Sequence, residues 1–172
     1  HQGSSMGDDL MQKIRYLIDI GCGYIYIDHI TLATAGSENT NKAIDDFMDS
    51  LLSLCKKKKA PWFGVVSHLR KTSEGKSFEE GAVPTMDDLK GSGSIKQISF
   101  DVIVFARNMN AKSEAVRNRT DIYVKKSRTV GKTGPAGSYT YDTVTGRLKY
   151  FDRSNINVDD DDEESEFEMN TQ

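Results

Sequence analysis

Two chemically capable side chains stand directly after short apolar runs of the sequence. Asp28 follows residues 24–27, and His68 follows residues 62–67. Ligands of open α/β sheets bind at the carboxyl ends of the strands, so an acid there can hold Mg²⁺ through water beside the phosphates of a nucleotide. An imidazole in the same place can approach the terminal phosphate. Neither signal is specific alone, because many apolar strands end in an aspartate that only caps a turn, and a buried or capping histidine is the commoner case.

The usual companion of such an acid is a phosphate-binding loop, Gly-x-x-x-x-Gly-Lys-Ser/Thr, between a strand and a helix. Residues 1–172 do not contain it. Gly131-Lys132-Thr133 imitates its end, but Lys126 stands where the first glycine is required, and Gly134-Pro135 follows where a helix should begin. We therefore expect that this chain alone does not hydrolyse ATP.

Basic side chains follow the second apolar run, on segments that also carry glycines. Lysines and arginines release counterions when they bind nucleic-acid phosphates. The basic residues are therefore candidates for nucleic-acid contact, and a merely solvated loop is an equally good interpretation. They are Arg70, Lys71, Lys76, Lys90 and Lys96.

Arg128 ends the basic run 125–128. The guanidinium group offers a rigid fork of donors that suits the charge developing during phosphoryl transfer, so Arg128 is a candidate arginine finger. An ordinary surface arginine is the alternative.

The spacing of apolar side chains predicts the elements that position these residues. Helical spacing predicts helices over 10–18 and 44–55, and residues 24–27 and 62–67 are typical of short strands. Strand, helix and strand in succession predict a right-handed crossover and a parallel pair. The unbroken apolar run 24–27 predicts a strand covered on both faces.

Downstream, residues 70–84 predict a long polar loop and residues 100–106 a third strand. Further strands are expected at 122–125, 138–141 and 148–150, the last two joined by a turn at Thr145-Gly146. Together the patterns predict an α/β fold with a twisted, mainly parallel sheet that is flanked by helices and has antiparallel strands at its C-terminal edge.

Charge is distributed unevenly along the chain. Eight acids lie within residues 159–168, and without them 23 basic residues face 18 acidic ones, although the whole chain carries a net charge of -3. A basic body suits a polyanionic partner, and an acidic tail with few apolar residues predicts disorder. We expect one domain over 1–151 and a tail over 152–172. Solubility alone is the alternative role of the tail.

Composition limits the class of protein further. Cys22 and Cys55 form no Cys-x-x-Cys pair, so a disulfide framework or a zinc site is not expected. Residues 1–172 contain no apolar run of about 18 residues, which favours a protein of the cytoplasm. The chain opens on His1, which predicts a fragment of a longer protein.

Six short motifs occur in a fixed order along the chain. They are Tyr-Ile-Asp-His-Ile (26–30), Ser-His-Leu-Arg-Lys (67–71), Glu-Glu-Gly (79–81), Asp-Leu-Lys-Gly-Ser-Gly-Ser-Ile-Lys-Gln (88–97), Ala-Arg-Asn (106–108) and Lys-Ser-Arg-Thr-Val-Gly-Lys-Thr-Gly-Pro-Ala-Gly (126–137). In this order they resemble the C-terminal half of the RecA-like motor of phage helicase-primases and of mitochondrial Twinkle, among the DnaB-like hexameric helicases. The resemblance covers residues 1–151 and implies a RecA-like fold whose phosphate-binding loop lies upstream.

The resemblance implies roles for individual residues. Asp28 resembles the Walker B acid, which holds Mg²⁺ through water, and His68 resembles a sensor that connects the γ-phosphate to the DNA-binding loop. Lys96 and Gln97 resemble the pair that couples DNA contact to the nucleotide state, with lysine where relatives often have arginine.

Three further residues resemble the loop that grips single-stranded DNA in the central channel: Arg70, Lys71 and Lys76. Where the resemblance implies a further basic residue in that loop, this chain has Glu74. Arg107 and Arg128 resemble the residues that approach the nucleotide of the neighbouring subunit, with Arg128 as the arginine finger.

The family implies a homo-hexamer that uses ATP or dTTP with Mg²⁺ to move on single-stranded DNA and to unwind duplex DNA at the replication fork. The tail 159–172 resembles a segment that binds a replicative DNA polymerase, and a single-stranded-DNA-binding protein is a second possible partner. A phage protein in its bacterial host is expected, with the mitochondrial matrix as the alternative. Two rival functions remain: a recombinase or clock-type ATPase of the same fold, and a non-catalytic interaction module that acts through the tail.

Overall fold

The first half of the chain alternates helix and strand. The computed structural model describes residues 6–71, 75–90 and 93–152. Its first elements are α1 (Met6–Asp19), β1 (Tyr24–Ile27), a 3₁₀ turn (Ile30–Thr34), α2 (Thr40–Cys55) and β2 (Trp62–Val65). β1 and β2 pair in parallel, with Tyr24 opposite Trp62 and Ile27 opposite Val65, so the predicted parallel pair is confirmed.

Local signals set the ends of the helices in this half. The side chain of Asn39 caps α2 by accepting the Lys42 N–H at 3.1 Å. α1 ends before Gly21, which has a φ of +89°. That conformation lets the Cys22 N–H reach the Leu17 carbonyl oxygen at 3.0 Å and turns the chain into β1.

The main core lies between the helices and one face of β1. Apolar residues of α1 and α2 at helical spacing meet the inward residues of the strand, which removes them from water. Its buried members are Ile14, Ile25, Ile27, Ile30, Ala33, Ile44, Phe47, Met48, Leu51, Leu54 and Ile95.

The other face of β1 is open within the described residues. Tyr24 and Tyr26 are 74% and 72% exposed, whereas Ile25 and Ile27 are buried. Trp62 lies beside the tyrosines, with its ring centroid 5.3 Å from that of Tyr26. The prediction of a strand covered on both faces is therefore wrong for the part of the chain described here, because the helices pack only against the isoleucines.

The second half of the chain is an antiparallel sheet. Its strands are β3 (Asp101–Ala106), β4 (Arg119–Ser127), β5 (Gly134–Asp142) and β6 (Arg147–Tyr150), in that spatial order. β4 and β5 are longer than predicted. Because β5 begins at Gly134, a strand rather than a helix follows Gly131-Lys132-Thr133, as expected of a false phosphate-binding motif.

The predicted α/β fold, with parallel strands followed by antiparallel strands toward the C-terminus, is confirmed. The described strands form a two-stranded parallel sheet and a separate four-stranded antiparallel sheet. Within residues 6–71, 75–90 and 93–152, no strand of one sheet pairs with a strand of the other.

Two short helices were not predicted, α3 (Gly93–Ile98) and α4 (Glu114–Asn118). α3 contributes Ile95 to the main core and leads into β3. Glu74 and the tail 159–172 lie outside the described residues. Among the helices of the described ranges, none has the length and apolar character needed to cross a membrane.

Candidate functional site

The ends of β1 and β2 bring Asp28, His29 and His68 to one edge of the parallel sheet. The Val66 N–H donates to the Ile27 carbonyl at 2.9 Å, and the Ile30 N–H donates to the Val66 carbonyl at 2.9 Å. These bonds continue the strand pairing past the last regular residues. Consequently the rings of His29 and His68 lie against each other, with centroids 4.1 Å apart and planes tilted by 55°.

Asp28 stands exposed at this edge, one residue beyond β1. Within the described ranges, no group of three or more His, Cys, Asp or Glu side chains is placed to hold a metal ion. An exposed single carboxylate fits Mg²⁺ in the way that nucleotide sites bind it, because there the ion keeps several waters and takes its other ligands from phosphates. Asp28 therefore fits water-mediated Mg²⁺ and does not form a metal site alone.

His29 is the residue of this edge that sequence reasoning missed. Its Nδ1 forms a hydrogen bond with the Thr31 hydroxyl, and its ring is partly buried against His68, which is exposed. The contact restricts the imidazole of His68 from one side. A histidine next to an aspartate gives no signal of this role, because the partner is 39 positions away in the sequence.

The chain beyond His68 is held by a second segment, 88–90. The Lys90 N–H donates to the His68 carbonyl at 2.8 Å, and the Arg70 N–H donates to the Asp88 carbonyl at 2.7 Å. Leu69 and Leu89 form an antiparallel bridge between these bonds. Residues 68–70 and 88–90 are therefore joined through their main chains.

Lys96 on α3 forms an ion pair with Asp87. The hydrogen bond from Lys96 and its charge, together with the charge of Arg70, hold the pKa of the exposed Asp87 carboxyl below its usual value. The predicted DNA-binding residues Arg70 and Lys96 thus flank one carboxylate. A surface ion pair of this kind is weak enough to open when a stronger anion binds Lys96.

The last turn of α3 receives two cations from the end of β4. Lys126 donates to the main-chain carbonyls of Lys96 and Gln97, and Arg128 donates to the carbonyl of Gln97. Carbonyls at the end of a helix lack intrahelical partners and carry partial negative charge, which explains the attraction. Desolvation and the neighbouring Arg128 lower the pKa of Lys126.

The guanidinium of Arg128 also lies over the ring of Phe100, 5.5 Å from its centroid. The main-chain N–H of Arg128 donates to the Phe100 carbonyl at 3.0 Å. Arg128 nevertheless remains exposed. The side chain of Gln97 is exposed as well, so this pair is linked through the Gln97 main chain.

Arg107 does not lie beside Lys126 and Arg128. It follows β3, whereas Arg128 follows β4, and the two strands are antiparallel with Asp101 opposite Ser127 and Ala106 opposite Asp121. The two arginines therefore lie at opposite ends of the ladder, separated by roughly 17 Å of strand. Arg107 donates to the Arg117 carbonyl and, at 3.2 Å, to the side-chain oxygen of Asn118.

Lys71 and Lys76 are exposed on either side of the undescribed residues 72–74. Their positions at the two ends of this gap are consistent with a basic loop that starts near His68. Their predicted contact with DNA remains a prediction.

Residues 2–148 match the family described as DnaB-like helicase C terminal domain. The chain belongs to this family. A DNA helicase/primase of Enterobacteria phage T3 is 33% identical to it over 145 residues, which cover 83% of this chain and 25% of the phage protein. The DnaB-like domain described here thus spans about a quarter of the length of that curated relative.

Solved structures agree on the fold of this DnaB-like domain. A structure of a DnaB-like replicative helicase, described with its interactions with primase, has a TM-score of 0.63 at 16% identity and covers 88% of this chain and 36% of that chain. The structure of an ATPase domain has a TM-score of 0.64 at 17% identity, with 87% and 52% covered. The RecA-like fold expected from the motifs is therefore confirmed.

Proposed function

We propose that this DnaB-like domain is the C-terminal part of the motor of a hexameric replicative DNA helicase. The whole protein would hydrolyse ATP or dTTP with Mg²⁺, move along single-stranded DNA and unwind the duplex at a replication fork. A phage origin, and action inside the infected bacterial host, are supported by the similarity to the phage helicase/primase. The observation that carries the proposal is the unbroken series of contacts from His68 to Arg128.

That series has three steps. His68 is bonded to Lys90 through the main chain, the adjoining Asp87 is paired with Lys96, and the carbonyls of Lys96 and Gln97 receive Lys126 and Arg128. A motor must connect the state of its nucleotide to its grip on DNA. A series that starts at a phosphate-facing histidine, passes a basic DNA-facing residue and ends at an arginine supplies such a connection.

In the proposed site, Asp28 would hold Mg²⁺ through water, and the ion would neutralise charge on the phosphates. His68 donates a hydrogen bond toward the terminal phosphate, and its position is restricted by the ring of His29. Loss of the phosphate after hydrolysis would release His68 and shift the paired segment 88–90. Arg70, Lys71, Lys76 and Lys96 would follow this shift and change their contacts with the DNA backbone.

Arg128 acts on the nucleotide of the neighbouring subunit in this proposal. Its side chain is exposed, and its guanidinium donates to the Gln97 carbonyl. The active site would therefore form between subunits, with Asp28 from one and Arg128 from the next. Arg107 would approach the same neighbour from the other end of the ladder.

Mixing of inactive subunits tests this arrangement. Asp28→Ala and Arg128→Ala variants of a full-length protein that contains this domain should each lose DNA-stimulated hydrolysis. In mixed rings, some sites would combine an intact Asp28 with an intact Arg128 from the adjacent subunit. Part of the activity should then return, in proportion to the mixing ratio.

A mixture that stays as inactive as its components would contradict the shared site. Mixing two samples of Arg128→Ala is the control, because it cannot restore any site. Unwinding of a forked duplex by the wild-type protein separates the helicase from the recombinase alternative, which should instead promote strand exchange.

We further propose that the acidic segment 159–172 recruits a replicative DNA polymerase or a single-stranded-DNA-binding protein. The eight acids of this segment support the proposal, since they would be attracted to a basic surface of a partner. Deletion of 159–172 should abolish the interaction and leave hydrolysis unchanged. Retained binding would exclude this role for the segment.

A further inference from the structure

The far end of the loop that carries Lys76 is attached to the turn that carries Arg107. The Met109 N–H donates to the Glu79 carbonyl at 2.8 Å, and Glu80 and Asn108 form an antiparallel bridge. Residues 79–80 and 108–109 are thus joined through their main chains. The attachment lies one residue beyond Arg107 and three residues beyond Lys76.

The loop side of this attachment is a closed turn. The Glu80 N–H donates to the Ser77 carbonyl at 3.0 Å, and the Ala82 N–H donates to the same oxygen at 3.2 Å. The Glu80 carboxylate accepts the Ser77 N–H at 2.8 Å. These bonds join residues 77–82 into one hydrogen-bonded turn between Lys76 and the attachment.

Gly81 faces Asn108 across this attachment. It is buried and has a φ of +89°, a backbone conformation that residues other than glycine rarely adopt. A Cβ atom at this position would stand 3.0 Å from the Cβ of Asn108 and 3.5 Å from its Cα. Glycine at position 81 therefore allows this close approach, and a larger residue would require Asn108 to shift away.

Asn108 is fixed on its own side of the contact. Its side-chain oxygen accepts the Asn110 N–H at 3.2 Å, which closes the turn after β3. Arg107, immediately before it, is held by the Arg117 carbonyl and by Asn118. The main chain at Asn108 thus sets the direction from which Arg107 reaches outward.

We infer that Gly81 and Asn108 are positioning residues that connect the DNA-binding loop to Arg107. Engagement of the loop by single-stranded DNA shifts the unit 77–82, and the Gly81–Asn108 contact carries that shift to Arg107 and so to the neighbouring nucleotide. This inference rests on the proposed function, because it needs the loop to bind DNA and Arg107 to act at the nucleotide. It adds a second route beside the one that runs through Lys96 and Arg128.

The test compares two alanine substitutions in the full-length protein. Gly81→Ala introduces both backbone strain and the close approach to Asn108. Gly21→Ala is the matched control, because Gly21 has the same φ of +89° and no atom within 4 Å of an added Cβ. Nucleotide hydrolysis is measured without DNA and with saturating single-stranded DNA, after thermal unfolding has shown that both variants are folded.

We expect Gly81→Ala to lose at least about fivefold of the DNA stimulation, at the lower end of ordinary coupling between sites, with basal hydrolysis near that of Gly21→Ala. Equal stimulation in the two variants would overturn the inference. An equal proportional loss of basal and stimulated hydrolysis would also overturn it, since that pattern indicates a structural role. A wild-type protein without DNA stimulation would count against the proposed function itself, and the inference would fall with it.

A double substitution isolates the contact from the backbone strain. Asn108→Gly removes the Cβ that an alanine at position 81 would meet and leaves only the Cα at an ordinary distance. In this background, Gly81→Ala should cause no more additional loss of DNA stimulation than Gly21→Ala does. If Gly81→Ala alone does not fold, Asn108→Ala replaces it, because it keeps the Cβ and removes the bond to Asn110. Unchanged DNA stimulation in Asn108→Ala would then overturn the inference.

Discussion

The two ends of the β3–β4 ladder present an arginine in the same local way. At one end, Arg128 donates to the carbonyl of Gln97, the penultimate residue of α3. At the other end, Arg107 donates to the carbonyl of Arg117, the penultimate residue of α4. In both cases a carbonyl that the helix leaves without a partner orients an exposed guanidinium.

The surroundings of the two arginines differ. Arg128 lies beside a second cation, Lys126, and over Phe100, and α3 itself is fixed in the main core through Ile95. Arg107 donates to the side chain of Asn118, and α4 contributes no buried residue. One strand ladder therefore supports a firmly held arginine at one end and a more adjustable one at the other.

This difference predicts that the two arginines contribute unequally to hydrolysis. Arg128→Ala should lower kcat by about a thousandfold or more, as expected for an arginine that stabilises transition-state charge. Arg107→Ala should cost less, about 1.5–3 kcal/mol or roughly ten- to a hundredfold, the value of one charged hydrogen bond. Steady-state kinetics with saturating DNA measure both, and Arg15→Ala, an exposed arginine on α1, is the control. Equal losses of kcat in the two variants would show that the number of contacts holding each arginine does not affect its contribution to catalysis.

A second prediction concerns DNA binding at the Arg128 end. Lys96→Ala should reduce the slope of log K against log salt concentration by about 1, because one phosphate contact is lost. Asp87→Asn should strengthen binding instead, since it releases Lys96 from its ion pair. Lys57→Ala, at the opposite edge of the parallel sheet, is the control and should leave the slope unchanged. A Lys96→Ala protein with an unchanged slope would remove this residue from the DNA path.

The sequence predicted the elements whose patterns are long and local. The helical repeat of 44–55 and the apolar runs 24–27 and 62–67 each identify their structure, because the pattern and the structure lie in the same residues. The false phosphate-binding motif at Gly131 was also recognisable, since Gly134-Pro135 excludes a helix. The position of Asp28 and His68 at one edge followed from the parallel pair.

Other features depended on contacts between distant segments. α3 and α4 have six and five residues, too few for an apolar period to show. The ring contact of His29 with His68 and the approach of Gly81 to Asn108 join residues whose neighbours in the sequence give no signal. Glu-Glu-Gly at 79–81 was visible as a motif, but only the positive φ of its glycine and the facing Asn108 explain why glycine is needed.

The smallest predicted effect tests whether the Arg107 end can be weakened by itself. The turn between β5 and β6 lies at that end, because Thr140 pairs with Arg119 and Asp142 follows two residues later. The bond from Lys149 at 2.6 Å, with help from the Thr145 N–H, holds the pKa of Asp142 well below its usual range. A carboxyl group whose pKa is lower in the folded state than in the unfolded state stabilises the fold at pH values above the unfolded-state pKa. This contribution is lost as the pH falls below about 4.

Asp142→Asn should therefore lower the thermal midpoint slightly at pH 7 and reduce the further loss that acid causes. Asp19→Asn, at the end of α1, is the control for removing one surface charge. Hydrogen exchange at pH 7 should show faster exchange in Asp142→Asn at Thr145 and Gly146 and unchanged exchange at the amides of Ser99 and Arg128. Faster exchange at both places would mean that the two ends of the ladder are not independent, and the contrast between a firm and an adjustable arginine would then have to come from the side chains alone.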